Sequence, residues 1–222
     1  MKLRFASLSL LTLCVTLAAV PAAAQDIYNN GPINGNVDAW TINFGYIVGD
    51  TFTVSSGTST ITGMSFGAWL FPGDSLTSAE VWISSSALGT GTTYFNQTVD
   101  FTASGCAMNL YGYNVCTETG LFSGPTLNNG TYWVNLENAV IPSGDPVYWD
   151  ENSGVGCTSP GCPSQSIESA GSIPSESFTI LGTASSTTTS TTTTGTVPEP
   201  SSLMLFASGF FGLAGMLRRK LF

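Results

Sequence analysis

The sequence predicts an all-β protein, a single antiparallel β-sandwich of jelly-roll type, and three observations carry that expectation. Apolar and polar residues alternate with period two in several short runs between residues 40 and 180. Turn-forming clusters separate these runs at short intervals: Asn29-Asn30-Gly31-Pro32, Pro72-Gly73-Asp74, Asn128-Asn129-Gly130 and Pro142-Ser143-Gly144-Asp145. No stretch of the body has a helical period long enough to predict a helix. An N-terminal signal peptide and a C-terminal transmembrane helix are expected to flank this domain.

Residues 1–24 read as a secretory signal peptide. Lys2 and Arg4 supply the charged start, residues 8–20 the apolar region, and Ala22-x-Ala24 a small-residue cleavage site before Gln25. Cys14 lies in the apolar region, but Leu13 precedes it where lipidation needs a small residue. The ectodomain then covers residues 25–182. Trp40, Ile42, Phe44, Tyr46 and Val48 alternate as one face of a strand, and Phe52 and Val54 continue it beyond a Gly49-Asp50 turn. Met64, Phe66, Ala68 and Leu70 alternate again, with Trp69 and Phe71 on the opposite face. Residues 79–84, 94–101 and 107–115 are shorter candidates. Tyr132, Val134 and Leu136 share a face in 131–136, and Phe178 and Ile180 close the domain. A body of this length holds one adequate core. Residues 183–196 collapse to a Thr/Ser-rich linker.

The tail, residues 197–222, has three parts in fixed order. Pro198-Glu199-Pro200 comes first, then an apolar run over 203–217, then the basic cluster Arg218-Arg219-Lys220. At 1.5 Å per residue the apolar run spans roughly 22 Å, short of the ~30 Å hydrocarbon core. Ser201 and Ser202 extend it into the interface, and the cations snorkel at the far end. The positive-inside rule places that end in the cytoplasm and everything upstream outside. The two prolines keep the segment before the helix extended, as a protease needs.

This order resembles the PEP-CTERM sorting signal of bacterial exported proteins. The resemblance implies an exosortase-type membrane protease as partner, with cleavage near the motif. It also implies export and inner-membrane anchoring through the C-terminal helix, then release to the cell envelope, the outer surface or the extracellular matrix. The body, with Asn30-Gly31-Pro32-Ile33-Asn34-Gly35 and the run from Ser143 through Tyr148-Trp149-Asp150-Glu151-Asn152 to Gly154, resembles the β-rich domain common among PEP-CTERM proteins. That second resemblance implies no activity.

Charge bounds the function more sharply. The five Lys and Arg residues are Lys2, Arg4, Arg218, Arg219 and Lys220, and the chain has no His. Residues 25–195 therefore hold no cationic side chain, against thirteen of the fourteen Asp and Glu residues, Glu199 being the other. Such a surface cannot neutralise phosphates, which excludes nucleic acid as a partner. Triads with His, Schiff-base lysines and imidazole zinc sites are excluded for the same reason.

Four cysteines remain in the mature region: Cys106, Cys116, Cys157 and Cys162. An even number in an exported chain predicts disulfides. The local pairs Cys106–Cys116 and Cys157–Cys162 are favoured over a four-cysteine zinc site, whose ligand spacing they fit poorly.

Three constellations could carry chemistry. Asp145, Asp150, Glu151 and Asn152 cluster enough side-chain oxygen for Ca²⁺, although without EF-hand spacing, and a solvated acidic loop is the competing account. Trp82 and Trp133, flanked by carboxylate, amide and hydroxyl groups, suit a sugar face, with Trp69, Tyr148 and Trp149 as contributors; plain core packing is the competing account. A carboxylate pair for glycoside hydrolysis can be drawn from any acidic domain and has little specificity. The reading that results is a non-catalytic structural or interaction domain on a sorted, exported protein. Carbohydrate (exopolysaccharide) binding is the alternative and a glycoside hydrolase a distant one; no cofactor is expected beyond the candidate Ca²⁺.

Overall fold

The computed structural model describes residues 24–152, 164–169 and 171–185. Residues 1–23 of the expected signal peptide, Cys157 and Cys162, most of the expected linker and the whole tail lie outside the described residues. The described chain is all-β and contains no helix. Its strands are β1 (Gln25–Asn29), β2 (Ala39–Thr41), β3 (Ile47–Leu70), β4 (Ser78–Ser84), β5 (Thr93–Asp100) and β6 (Thr102–Met108), then β7 (Asn114–Leu121), β8 (Thr126–Val140), β9 (Tyr148–Asp150), β10 (Gln165–Ser166), β11 (Gly171–Ser172) and β12 (Phe178–Ser185). Antiparallel pairing joins them into one open sheet, with the path β1-β12-β3-β8-β4-β5. The first three residues of the segment read as linker belong to β12, where Thr183, Ala184 and Ser185 pair with Thr60, Ser59 and Thr58.

β3 is 24 residues long and every other part of the fold is hung on it. Along one edge it pairs with β8 from Ile47 to Thr60 and then with β7 from Gly63 to Leu70. Along the other it meets β10 at Val48 and Gly49, β12 from Thr58 to Phe66, and β9 at Ala68 and Trp69. A bulge between Val54 and Thr58 lets the strand bend on the way, with Gly57 at φ 63°, a conformation that glycine adopts without a Cβ penalty. The sheet curls enough for β7 to face the end of β5. A Cβ at Gly120 would lie 2.7 Å from Val99 and 2.8 Å from Phe101.

Four local expectations are corrected. Gly49-Asp50 is no turn: both residues lie inside β3, opposite Asn135 and Val134. Gly49 leaves room for the Asn135 side chain, and Asp50 is buried with its carboxylate fully hydrogen-bonded. Asn128-Asn129-Gly130 likewise runs within β8, opposite the bulged part of β3. The strand expected over 40–48 is broken after Thr41 by a turn in which Phe44 (φ 56°) and Gly45 (φ 85°) are left-handed. Phe44 is consequently 63% exposed instead of buried. Residues 107–115 form the end of β6, a tight loop and the start of β7, not one strand.

The core follows the alternation that the sequence shows. Met64, Phe66, Ala68 and Leu70 are all fully buried, together with Val81, Ile83, Val134, Leu136 and Ile180. Phe66 meets Phe101 and Trp149 edge-on, with ring centroids 5.3 and 5.9 Å apart. Truncating such a residue to Ala costs about 3–5 kcal/mol in lost transfer energy and cavity. The Cys106–Cys116 disulfide ties β6 to β7, with Cα atoms 4.1 Å apart. Two of the four cysteines are thereby used, which removes the four-cysteine zinc site.

Candidate functional site

At the end of β3, where β7 and β9 flank it, four aromatic rings and a short loop line an open pocket of about 330 Å³. Trp69 comes from β3, Tyr148 from β9, and Tyr111 and Tyr113 from the loop between β6 and β7; Val37, Asp38 and Ala39 close the remaining side. The register explains the convergence. Trp69 pairs with Tyr148 on one side and with Val115 on the other, so their side chains leave the sheet on one face. The loop before Asn114 then delivers its two tyrosines to the same place. Asn109 shapes that loop: its Oδ1 accepts the backbone N–H groups of Tyr111 and Tyr113, at 3.0 and 2.9 Å.

The rings hold one another. Trp69 and Tyr111 are stacked with centroids 5.7 Å apart and planes 21° from parallel, and Tyr113 contacts Trp69, Phe71 and Tyr148. Trp69 is only 5% exposed, whereas Tyr111 is 59% exposed and forms the outer wall. The pocket lies near the small end of the ~300–1,000 Å³ range usual for small-molecule sites, enough for one sugar-sized ring.

Buried acids fix the floor. Asp150 Oδ1 accepts the Trp69 indole N–H at 2.7 Å and the Gly35 N–H at 2.9 Å, while Oδ2 accepts Asn34 N and Ser177 Oγ, both at 3.0 Å. Glu151 Oε1 accepts the Trp40 indole N–H at 2.6 Å. Asp50 Oδ2, deeper, accepts Asn30 Nδ2, Ser175 Oγ and Glu176 N, each at 2.9 Å. Burial raises the pKa of Asp50 to about 6 against these hydrogen bonds, and it raises Asp150 and Glu151 as well. Glu176 is pushed well up by burial and then by the charges of Asp50, Glu151 and Asp150. Burial also pushes the Tyr148 phenol up to about 12, helped by Tyr113, Glu168 and Asp145. That hydroxyl stays protonated at any physiological pH.

The residues singled out from the sequence go to three places. Tyr148 lines the pocket, and Trp69 forms its inner wall. Trp149 points the opposite way and is fully buried between Phe66 and Phe178, its indole N–H on Ser177 O at 2.9 Å. Trp82 and Trp133 lie diagonally on β4 and β8, half-buried on the outer face, with Trp82 Nε1 donating to Glu80 Oε1 at 2.7 Å. They belong to a different surface from the pocket. The acidic set does not converge either: Asp145 is exposed, while Asp150, Glu151 and Asn152 are buried. Among the described residues no group of three or more His, Cys, Asp or Glu side chains is placed to hold a metal.

Sequence reasoning missed Tyr111, Tyr113 and Asp38. The available signal was Tyr111-Gly112-Tyr113 inside a ten-residue disulfide loop, where two aromatics on a tethered turn have no core of their own to fill.

The comparisons with known proteins bear on the tail alone. The PEP-CTERM protein-sorting motif matches residues 196–220. No curated protein and no solved structure matched the chain. The motif implies an exported protein recognised by exosortase, a membrane protein.

Proposed function

We propose, from the premise that the chain carries a PEP-CTERM protein-sorting signal at residues 196–220, that it is a sorted surface or matrix protein whose β-domain is a non-catalytic binding module for carbohydrate. The observation that carries the ligand class is the pocket of Trp69, Tyr111, Tyr113 and Tyr148. Ring faces suit the C–H face of a sugar, and Asp38 and the tyrosine hydroxyls suit its hydroxyls. The non-catalytic reading is supported by the neighbouring acids. Asp150 and Glu151 hold indole N–H groups from below, where a glycosidase would aim two carboxylates at the bond to be cut.

The sorting half is tested by mass spectrometry of the protein from its own host. A C-terminus between Pro198 and Ser202 is expected, and intact Arg218-Arg219-Lys220 on most surface molecules would overturn it. The binding half is tested with the full-length chain in neutral detergent on a glycan panel. Retention by at least one glycan class, lost in Tyr148→Ala, is expected; no retention by any glycan would overturn it.

A further inference from the structure

The pocket sits in an unusual field. Asp38 lines it, and Glu168 and Asp145 are close enough to act on the Tyr148 hydroxyl. Asp150 lies against the indole N–H of Trp69, and Glu151, behind it, feels both Asp38 and Asp150. One oxygen of Glu168 is anchored by the Thr41 N–H at 2.9 Å, which fixes that side chain near β9. No Lys, Arg or His exists anywhere between residues 25 and 195 to neutralise these groups. Asp38 thus lines the four rings, Asp150 touches Trp69 from behind, and Glu168, Asp145 and Glu151 lie further out, while the π-faces of the rings are themselves the negative ends of quadrupoles.

A neutral sugar would stack on those rings and donate hydrogen bonds from its hydroxyls to Asp38, but has no net charge for the field to attract. A cation gains from both. An ammonium group over the face of Trp or Tyr is attracted by the ring, more strongly where water is excluded, and nearby carboxylates add to the attraction. A carboxylate accepting the indole N–H also increases electron density on the Trp69 ring. The pocket has room for one substituted ring, not for a folded peptide.

We infer that this aromatic pocket selects an amino sugar, a glycan unit bearing a free ammonium group, and that Asp38 and the exposed ring of Tyr111, backed by Trp69, receive the charge. The inference rests on the carbohydrate reading above and narrows it. It implies that the glycan bound is cationic, an N-deacetylated polymer, and that an uncharged or N-acetylated polymer is the poor ligand.

The test is a titration of the full-length chain in neutral detergent, read by tryptophan fluorescence and by calorimetry. The probes are β-1,4-linked oligomers of glucosamine, N-acetylglucosamine and glucose of matched length, with tetramethylammonium chloride as an ammonium without a sugar. Glucosamine oligomer is expected to bind about tenfold or more tighter than the other two, with tetramethylammonium competing. Tyr111→Ala, at an exposed loop residue, should abolish that preference, and Asp38→Asn should weaken glucosamine binding by a larger factor than glucose binding. Equal binding of all three oligomers, lost in Tyr111→Ala, overturns the amino-sugar inference and leaves carbohydrate binding standing. Binding of tetramethylammonium with no oligomer bound overturns both. A glucosamine preference that survives Tyr111→Ala and Asp38→Asn also overturns the inference, because it would be general attraction to an acidic surface.

Discussion

Glu118 stands alone in the core. On β7 it alternates inward with Cys116 and Gly120, opposite Phe66 of β3 and Ala103 of β6, and neither carboxylate oxygen has a hydrogen-bond partner. Burial raises its pKa from the ordinary 4.5 to about 7. The sign follows directly. The folded state holds this proton more tightly than the unfolded chain, so the stability it contributes is complete below about pH 4.5 and is lost as pH rises through 7. Glu118→Gln removes the charge and keeps the shape. A pKa moved from 4.5 to about 7 corresponds to on the order of 3 kcal/mol. Denaturant unfolding should find the variant more stable than wild type at pH 8 by about that amount, with most of the difference gone at pH 5. An equal difference at both pH values would show that Glu118 is not titrating there. The same residue scale explains what the sequence hid at the site. Tyr148 was legible as an aromatic beside acids, but a side chain's face depends on strand register. Trp149, its neighbour, therefore went to the core, and Tyr111 and Tyr113 were hidden inside an expected strand.

Strand β3 carries the next scale, because its partner changes between Thr60 and Gly63. A Cβ at Gly63 would lie 2.6 Å from the backbone carbonyl oxygen of Gly120, which cannot move without breaking the β3–β7 ladder. Gly63→Ala is expected to cost about 1–3 kcal/mol by overpacking, whereas Gly171→Ala, with open space around it, should be near neutral. Thermal or urea melts of both variants decide it, and equal cost would contradict the close approach. The β6–β7 hairpin makes a second element-scale expectation. Its disulfide closes a ten-residue span that carries Tyr111 and Tyr113, worth roughly 2–3 kcal/mol in the chain-entropy model. Mild reduction should weaken ligand binding at the pocket before it unfolds the domain; undiminished binding after reduction would mean the loop is held by its own contacts. Period-two alternation made the cores of β3, β4 and β8 legible, since side-chain burial follows the pleat. Gly49, Asp50 and the Asn128-Asn129-Gly130 segment were not legible. Their local turn preference is overridden by pairing to residues about eighty positions away, and for Asp50 by hydrogen bonds from Asn30, Ser175 and Glu176.

Across the whole molecule, charge imbalance invites an account by mutual repulsion, since thirteen carboxylates face no cation in residues 25–195. The structure ranks the causes differently. Asp50, Glu118, Glu137, Asp150, Glu151 and Glu176 all have raised pKa values, and burial is the largest cause for each; Coulombic repulsion comes second for Glu137 and Glu176 and is absent for Glu118. Glu80 is the one lowered carboxylate among them, because hydrogen bonds from Asn138, Trp82 and Asn96 together outweigh its burial. Desolvation is not screened by salt, whereas repulsion between exposed charges falls off within a Debye length of about 10 Å at 0.1 M. The two mechanisms therefore predict different experiments. If burial dominates, acidification stabilises the fold and salt does little; if repulsion dominates, both act. Since folded pKa values lie above unfolded ones, stability should grow as pH falls through about 7 for Glu118 and about 6 for Asp50, toward their ordinary values near 4. For a domain of this size each kcal/mol is worth roughly 2–4 °C. Thermal melting of the full-length chain in neutral detergent should show Tm several degrees higher at pH 5 than at pH 8, and raising NaCl at pH 8 should recover less than half of that gain. A Tm that falls on acidification would contradict the buried-carboxylate account, and NaCl matching the effect of acid would return the explanation to surface repulsion.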